Sequence, residues 1–345
     1  MNYKVLDDKI VVYDKNCFNA KHILECGQIF RFKQLANDDY VVFSGDKKAQ
    51  ILEKQNCYEI VCSDVLYFEN FFDLNTDYQT IKGELSQKFS ILNEACQYGH
   101  GIRILKQQPF ETIISFIISA NNNIKRIQGI IERLCTRCGT NMGDYYAFPT
   151  QSQLETLTVG DLRALGMGFR AEYVFNTTKL LKGVNLQKLS KFSTSKLLEF
   201  LISLSGVGPK VADCIALFAY HKMDCFPVDT WIKKVYNQYF LDVNESIVAK
   251  GTNILQKDNV CEQTKNCAKC ENISGTNKTE TAFLNDENQT TKRVEDVKII
   301  RKNLTELFGN LSGYAQQYLF YYKREMDRRG IWKINLKFQQ IFSKK

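Results

Sequence analysis

Short runs of alternating apolar and polar residues occupy the chain up to about residue 70. The run YVVFSGDKKAQILEK predicts a hairpin around Ser44, Gly45 and Asp46, and CYEIVC predicts a further strand. From about residue 78 the apolar positions change to helical spacing. We therefore expect an α+β chain, in which a small antiparallel N-terminal sheet precedes a mostly α-helical body.

Two consecutive apolar stripes predict a pair of helices in the middle of the chain. The first stripe stops at the polar run Asn121-Asn122-Asn123, and the second begins directly after it at Ile124. A last amphipathic helix is predicted beyond residue 310. Its apolar side carries Tyr314, Ala315, Tyr318, Leu319 and Tyr322.

Residues 257–292 lack apolar periodicity and are rich in Asn, Thr, Lys and Glu, which predicts a polar insertion. We divide the chain into an N-terminal α+β domain (1–105), a helical domain (106–330) that contains this insertion, and a tail (331–345). Three cysteines (Cys261, Cys267 and Cys270) lie close together in the insertion. A four-cysteine cluster would need a distant fourth ligand, so we expect no metal and no cofactor.

The charge and cysteine content narrow the cellular setting. The net charge of +8, from 46 Lys and Arg against 38 Asp and Glu, suits a polyanionic partner such as nucleic acid. The chain has 12 cysteines, several within apolar helical patterns, and no N-terminal secretion pattern. We expect a monomer with free thiols inside the cell, in the bacterial cytoplasm and nucleoid, or in the nucleus if the source is eukaryotic. No apolar run is long enough to span a membrane, so no membrane partner is expected.

The stretch LSGVGPK joins two predicted helices and is a candidate phosphate site. Gly206 and Gly208 lack Cβ atoms, so the turn can adopt positive φ and let a ligand approach its backbone. Pro209 suits the first helical position, and the following N–H groups have no intrahelical acceptor. Such amides bind phosphate. The alternative is an ordinary helix–turn–helix corner.

Lys210 follows this turn and is a candidate nucleophile. An amine must be neutral to attack, yet the pKa of a free Lys is about 10.4. The positive end of a helix dipole supplies only part of the required decrease, so burial must supply the rest. We therefore expect Lys210 in a largely closed pocket with a lowered pKa. Asp229, in CFPVDTW, could stabilise positive charge on a sugar or cap the next helix, and both roles are compatible.

Two of these segments, LSGVGPKVADCIALFAY and PVDTW, resemble the helix-hairpin-helix, Gly/Pro-rich, Asp superfamily of DNA glycosylases. Four others resemble segments of the 8-oxoguanine DNA glycosylase/lyase family: GQIFRF, PFETIISFIISANNNIKRIQGIIERLC, LGMGFRAEYV and FGNLSGYAQQYLF. The matches keep the family's order over roughly residues 20–325. The resemblance implies a TATA-binding-protein-like N-terminal domain and a base-excision repair enzyme. Its substrate would be double-stranded DNA that contains 8-oxoguanine or a related oxidised purine.

The same resemblance assigns roles to the pocket residues. Lys210 would form the Schiff base with the sugar, and β-elimination would follow; Asp229 matches the family Asp. The carbonyl of Gly27 would accept a hydrogen bond from N7–H of the lesion, a proton that guanine lacks. The other expected base-binding residues are Gln316 at the base edge, Phe320 and Cys214 on its two faces, and Trp231, where animal members have a His.

A second group would contact the DNA itself. Asn121 would fill the gap left by the flipped base, while Arg126 and Arg170 would bind the orphaned cytosine. Phe169 would wedge into the duplex; many members have a Tyr there, so the preference for cytosine could be looser. The hairpin would hold phosphate through Gly206, Gly208 and Val211.

Two other interpretations compete with this one. An endonuclease-III-like or adenine glycosylase usually carries an iron–sulfur cluster, for which the cysteine spacing here is incomplete. A non-catalytic DNA-binding module could also contain the hairpin, but it would not need Lys210 together with Asp229.

Overall fold

The computed structural model of the protein describes residues 1–241 and 296–330. Its N-terminal part contains one six-stranded antiparallel sheet with the strand order β1-β2-β6-β5-β4-β3. The strands are β1 (Tyr3–Val5), β2 (Lys9–Val12), β3 (Phe32–Gln34), β4 (Tyr40–Ser44), β5 (Lys47–Glu53) and β6 (Tyr58–Cys62). The antiparallel N-terminal sheet predicted from the sequence is confirmed.

The predicted hairpin is formed by β4 and β5. Ser44 pairs with Lys47 across a two-residue turn in which Gly45 has φ +60°. Gly lacks the Cβ atom that penalises this backbone conformation, so the turn closes without strain. The predicted strand at CYEIVC is β6, and its alternate residues Tyr58, Ile60 and Cys62 are buried.

Fourteen α-helices in the described residues build the rest of the fold. Those before the central pair are α1 (Ala20–Leu24), α2 (Val65–Phe71), α3 (Tyr78–Lys88) and α4 (Ser90–Tyr98). The central pair and its successors are α5 (Pro109–Ser119), α6 (Ile124–Cys138), α7 (Gln151–Leu154), α8 (Val159–Ala164), α9 (Arg170–Leu180) and α10 (Thr194–Ile202). The last four are α11 (Pro209–Tyr220), α12 (Thr230–Tyr239), α13 (Val297–Phe308) and α14 (Ser312–Arg328).

Helical structure begins earlier than the sequence pattern indicates. We expected the change near residue 78, but α1 and α2 precede it. Each has only five to seven residues, too few turns for a helical period to stand out. Phe68 and Phe71 of α2 are fully buried and pack in the same core as the sheet residues Ile10 and Ile60.

A second, larger apolar core lies among the helices. It contains the inward faces of α5, α6, α11 and α14, but also Cys26, Tyr78 and Leu92 from the part that we assigned to the N-terminal domain. The division at residues 105 and 106 therefore does not separate two independent cores. It stays a prediction about domain organisation.

Two segments fall outside the described residues. The first is 242–295, which includes the whole predicted insertion (257–292), and the second is the tail (331–345). The three insertion cysteines, Cys261, Cys267 and Cys270, therefore lie there too. Among residues 1–241 and 296–330, no group of His, Cys, Asp and Glu has the arrangement of a metal site. No helix in that part of the chain is long and apolar enough to cross a membrane.

Candidate active site

The hairpin between α10 and α11 positions Lys210 in the first turn of α11. Gly206 has φ +80°, a backbone conformation that favours glycine. A Cβ atom there would also lie only 2.6 Å from Cβ of Tyr173, so a larger residue would clash. Gly208 is different: it caps α11 with φ −89°, and a Cβ atom would meet nothing within 4 Å. The turn thus adopts the expected positive φ at Gly206, whereas Gly208 keeps a negative φ.

The backbone N–H groups of Lys210 and Val211 point out of the start of α11. Pro209 occupies the first helical position, and neither following amide donates to an acceptor among the described residues. The side chain of Val211 is buried in the core, so only its N–H group is available to a ligand. Unpaired amides at the positive end of a 12-residue helix form an anion site.

A small cavity of about 60 Å³ lies beside this helix start. Six residues predicted from the sequence line it together: Gly27, Lys210, Cys214, Asp229, Gln316 and Phe320. They come from the loop after α1, from α11, from the N-terminus of α12 and from α14. Tertiary folding thus brings together residues separated by up to 293 positions, the span from Gly27 to Phe320.

Lys210 differs from the sequence expectation in its surroundings. The residue as a whole is exposed, whereas its amine lies in the pocket, beside Cys214 and 5.8 Å from the centroid of the Phe116 ring. The Cys214 sulfur beside the amine, and then the Asp229 carboxylate, raise the pKa of Lys210, and desolvation only opposes them. The expectation of a lowered pKa is therefore wrong for this structure, because the neighbouring groups favour the charged amine. The expectation of a largely closed pocket stays a prediction, because the amine is surrounded by pocket residues while the rest of the residue reaches the surface.

Asp229 caps α12 and faces the cavity at the same time. Its Oδ1 accepts hydrogen bonds from the backbone N–H groups of Trp231 and Ile232, both at 2.9 Å. Burial raises the pKa of the Asp229 carboxyl, while these two amides and the charge of Lys210 act in the opposite direction. The predicted helix cap is confirmed, and the carboxylate remains close to Lys210.

The carbonyl of Gly27 has no hydrogen-bond donor among the described residues, unlike the carbonyls on either side of it. The Cys26 carbonyl accepts from Nε2 of Gln317 at 2.8 Å, and the Gln28 carbonyl accepts from Nε2 of Gln107 at 2.7 Å. The Gly27 carbonyl accepts no hydrogen bond from the part of the chain that the structure describes. Gly27 has φ +86°, which favours glycine at this position.

Gln316 provides a second unpaired group at the cavity. Its side chain is 95% buried, and its Oε1 has no hydrogen-bond partner among the described residues. A buried polar atom without a partner costs free energy and calls for an explanation. A ligand with hydrogen-bond donors would satisfy both this oxygen and the Gly27 carbonyl.

The residues predicted to contact the DNA around the flipped base lie just before α6 and α9 or in the first turn of these two helices. Phe169 is 54% exposed, and its ring lies 5.9 Å from that of Tyr173 in an edge-on arrangement. Asn121 is exposed with φ +51°, and exposed Arg126 donates to the Gly166 carbonyl at 3.3 Å.

Arg170 holds two loops together in this structure, and its predicted contact with the orphaned cytosine stays a prediction. It is buried, and its guanidinium donates to the carbonyls of Ala120 and Asn121, each at 2.7 Å. Its charge also lies 4.3 Å from the centroid of the Phe169 ring. Through these two hydrogen bonds, Arg170 fastens the loop that contains Asn121 to the start of α9, next to Phe169.

Two family models together match most of the chain. Residues 10–113 match the 8-oxoguanine DNA glycosylase N-terminal domain, and residues 114–252 match the HhH-GPD superfamily of base excision DNA repair proteins. A crystal structure of the Clostridium acetobutylicum 8-oxoguanine glycosylase/lyase, in complex with dsDNA containing cytosine opposite to 8-oxoG, is 32% identical with a TM-score of 0.74. The similarity covers 95% of this chain and 99% of that one.

The chain belongs to the 8-oxoguanine DNA glycosylase family.

Curated relatives agree over shorter regions. The N-glycosylase/DNA lyase of Saccharomyces cerevisiae is 37% identical over 42% of this chain and 44% of its own length. The N-glycosylase/DNA lyase OGG1 of Arabidopsis thaliana is 29% identical over 62% of this chain and 64% of its own length. The chain thus matches less than two thirds of the length of either relative. A 3-methyladenine glycosylase from Archaeoglobus fulgidus, at 14% identity and a TM-score of 0.63, shares the fold alone.

The cavity also contains residues that the sequence did not predict. Phe116 and Phe218 line it and stack on each other with ring centroids 5.6 Å apart, and the Lys210 amine lies 5.8 Å from the Phe116 ring. Both occupy apolar helix positions, which predict only core packing. Gln317 adjoins Gln316, and its hydrogen bond to a distant carbonyl leaves no trace in the local sequence.

Trp231 does not line the pocket. Its ring contacts the ammonium group of Lys234, which lies 4.5 Å from the ring centroid. Its predicted base-binding role therefore has no support from its position here, although it adjoins Asp229 through the first turn of α12.

Proposed function

We propose that this protein is a bifunctional DNA glycosylase that excises 8-oxoguanine, and related oxidised purines, from double-stranded DNA during base-excision repair. The proposal depends on one observation: Lys210 and Asp229 share a cavity with two acceptors that have no hydrogen-bond donor among the described residues, the half-buried Gly27 carbonyl and the buried Gln316 Oε1. The family and its relatives, which include an 8-oxoguanine glycosylase/lyase and an N-glycosylase/DNA lyase, support it.

Recognition of the base would depend on Gly27. The N7–H group of 8-oxoguanine donates to the Gly27 carbonyl, whereas N7 of guanine is an acceptor and would face that carbonyl with no proton between them. A buried acceptor left unmatched costs about 1–3 kcal/mol. Phe320 and Cys214 would contact the two faces of the base, and Gln316 its edge. The cavity holds space for only a few water molecules, so lining side chains such as half-buried Phe320 would shift as the base enters.

The chemistry would use the Lys210 amine as nucleophile. Its neutral nitrogen attacks C1′ of the sugar, the bond from C1′ to the base breaks, and the base leaves with the electron pair and takes up a proton. The attached sugar opens to an imine, which allows loss of a 2′ proton and departure of the 3′ phosphate. Asp229 stabilises the positive charge that develops on the sugar. A duplex seated over Lys210 would remove water from the amine and so lower its pKa toward neutrality.

Double-stranded DNA is the proposed partner. The amides of Lys210 and Val211 would hold a phosphate, exposed Phe169 would wedge into the stack, and Asn121 with Arg126 would face the strand opposite the lesion. Arg170 would act through the Asn121 loop that it fastens. DNA repair places the enzyme inside the cell, and its exact compartment stays a prediction.

Borohydride trapping tests the nucleophile. Incubating the protein with duplex DNA that contains 8-oxoguanine opposite each of the four bases, with borohydride present, should give a covalent adduct, most strongly opposite cytosine. Lys210→Gln should abolish the adduct. Lys302→Gln is the matched control, because Lys302 is exposed on α13 and pairs only with Glu306 among the described residues.

The alternative, a non-catalytic DNA-binding module, predicts a different result. A non-catalytic phosphate clamp would bind the same duplexes but leave no adduct with either protein. Adduct formation that persists in Lys210→Gln would show that another amine is the nucleophile.

A further inference from the structure

Arg324 lies on α14, one turn beyond Phe320, and contacts both walls of the base pocket. Its guanidinium carbon is 5.3 Å from the centroid of the Phe320 ring. Its Nη2 donates to the Glu25 carbonyl, two residues before Gly27. Its Nη1 lies 3.3 Å from the place that a Cβ atom on Gly27 would occupy, and the Phe320 ring edge lies 3.1 Å from the same place. One guanidinium therefore lies against the Phe320 ring and beside Gly27, and it is hydrogen-bonded to the loop that ends at Gly27.

The hydrogen bonds of this guanidinium are incomplete. The Arg324 side chain is 7% exposed, and its Nε and Nη2 both lie 3.2 Å from Oε1 of Glu325. Its Nη1 is buried with no hydrogen-bond partner among the described residues. A buried unpaired donor is destabilising, and an apolar side chain of similar length would avoid that cost. The unpaired Nη1 therefore offsets part of the stability that the bonds to Glu25 and Glu325 supply.

Two side chains of α14 attach the loop before Gly27 to the helix that carries Phe320. Gln317 and Arg324, both on α14, hold the carbonyls of Cys26 and Glu25, so the loop ending at Gly27 is fastened to the helix that carries Phe320. The spacing between the Gly27 carbonyl and the Phe320 ring follows from these attachments. A base must meet both at once, its edge at the carbonyl and its face on the ring.

We propose that Arg324 is a positioning residue for base recognition, which sets the spacing between the Gly27 carbonyl and the Phe320 ring. This inference rests on the proposed glycosylase function and identifies a further determinant of its specificity. Arg324 acts through Gly27 and Phe320 and takes no part in the bond changes at C1′.

The test separates base excision from the lyase step. Under single-turnover conditions, Arg324→Met should release 8-oxoguanine about tenfold more slowly, since a charge-assisted contact that orients the recognition loop is lost. Cleavage of a preformed abasic site should stay within about twofold of the parent rate, because that substrate has no base to position. Arg324→Lys should recover part of the excision rate. Arg328→Met is the matched control: Arg328 is on the same helix, is exposed and also contacts Glu325, at 3.0 Å.

Each outcome decides the inference. Equal losses in excision and abasic-site cleavage would show a general structural role and overturn it, as would an unchanged excision rate. Should Arg324→Met fold poorly in a thermal melt, the ratio of the two rates in Arg324→Lys decides in the same way. A parent protein that cleaves abasic DNA yet releases no 8-oxoguanine contradicts the proposed function itself, and with it this inference.

Discussion

At the scale of single residues, Asp229 combines a structural and a chemical task in one carboxylate. It caps α12 through two backbone amides and lies in the pocket with Lys210. Asn retains a capping oxygen but not the charge, so Asp229→Asn should keep the free energy of unfolding within about 0.5 kcal/mol of the parent. Excision should fall by about a hundredfold or more. Chemical denaturation and single-turnover assays measure the two effects separately.

Asp229→Ala gives the complementary comparison. It removes both the charge and the cap, so it should add a loss of about 1 kcal/mol in stability to a similar loss in activity. A normal excision rate in Asp229→Asn would mean that the carboxylate serves only as the cap.

At the scale of elements, α11 is tied to α13 by a two-pronged ion pair. Arg301 Nε and Nη2 donate to the two oxygens of buried Asp213 at 2.6 and 2.8 Å. Burial raises the pKa of the Asp213 carboxyl, and Arg301 opposes that rise. Arg301→Met should destabilise the fold by about 2 kcal/mol, less than a fully enclosed pair because the Arg301 side chain is 30% exposed.

A double-mutant cycle isolates this contact. Asp213→Asn in the Arg301→Met background should cost little further stability, because the unpaired carboxylate is then gone. Urea denaturation of the four proteins gives the coupling energy. Strictly additive losses would mean that the ion pair contributes nothing of its own.

At the scale of the whole molecule, buried Asp73 links the N-terminal part to the far end of α11. Its carboxylate accepts from Thr76 at 2.8 Å, lies 2.7 Å from the Lys106 amine, and lies 3.5 Å from Nε2 of His221, the residue that caps α11. Burial alone would raise the pKa of Asp73, but His221, Lys106 and Thr76 lower it from the ordinary 3.8 to about 2.

A pKa lower in the folded than in the unfolded state stabilises the fold while the carboxylate is charged in both states. The contribution of Asp73, about 2 kcal/mol, should therefore be complete above pH 4 and disappear as the pH falls toward 2. We expect Asp73→Asn to be less stable than the parent at pH 7, with the difference shrinking between pH 4 and 2. Guanidinium unfolding at several pH values measures it. A difference that is independent of pH would exclude this electrostatic origin.

Much of the fold was predictable because local patterns dictate local structure. The β4–β5 hairpin follows from alternation around a turn that contains Gly45, and α11 follows from Pro209 ahead of an apolar helical run. Short α2 was missed, since seven residues carry too little periodicity. The joining of Cys26, Tyr78 and Leu92 to the helical core was missed as well, because no local pattern states which distant surface an apolar side chain will cover.

The amino-acid sequence by itself determined the residue types that the chemistry needs and their order: an amine after a glycine-rich turn, a carboxylate at a helix start, and an amide and a ring one helical turn apart. Only the tertiary structure decided the electrostatics of Lys210, the use of Arg170 as a fastener of the Asn121 loop, and the contact of Arg324 with Gly27 and Phe320. The physical reason is that charge, burial and hydrogen-bond pairing depend on neighbours brought from distant parts of the chain. Those neighbours exist as neighbours only after folding.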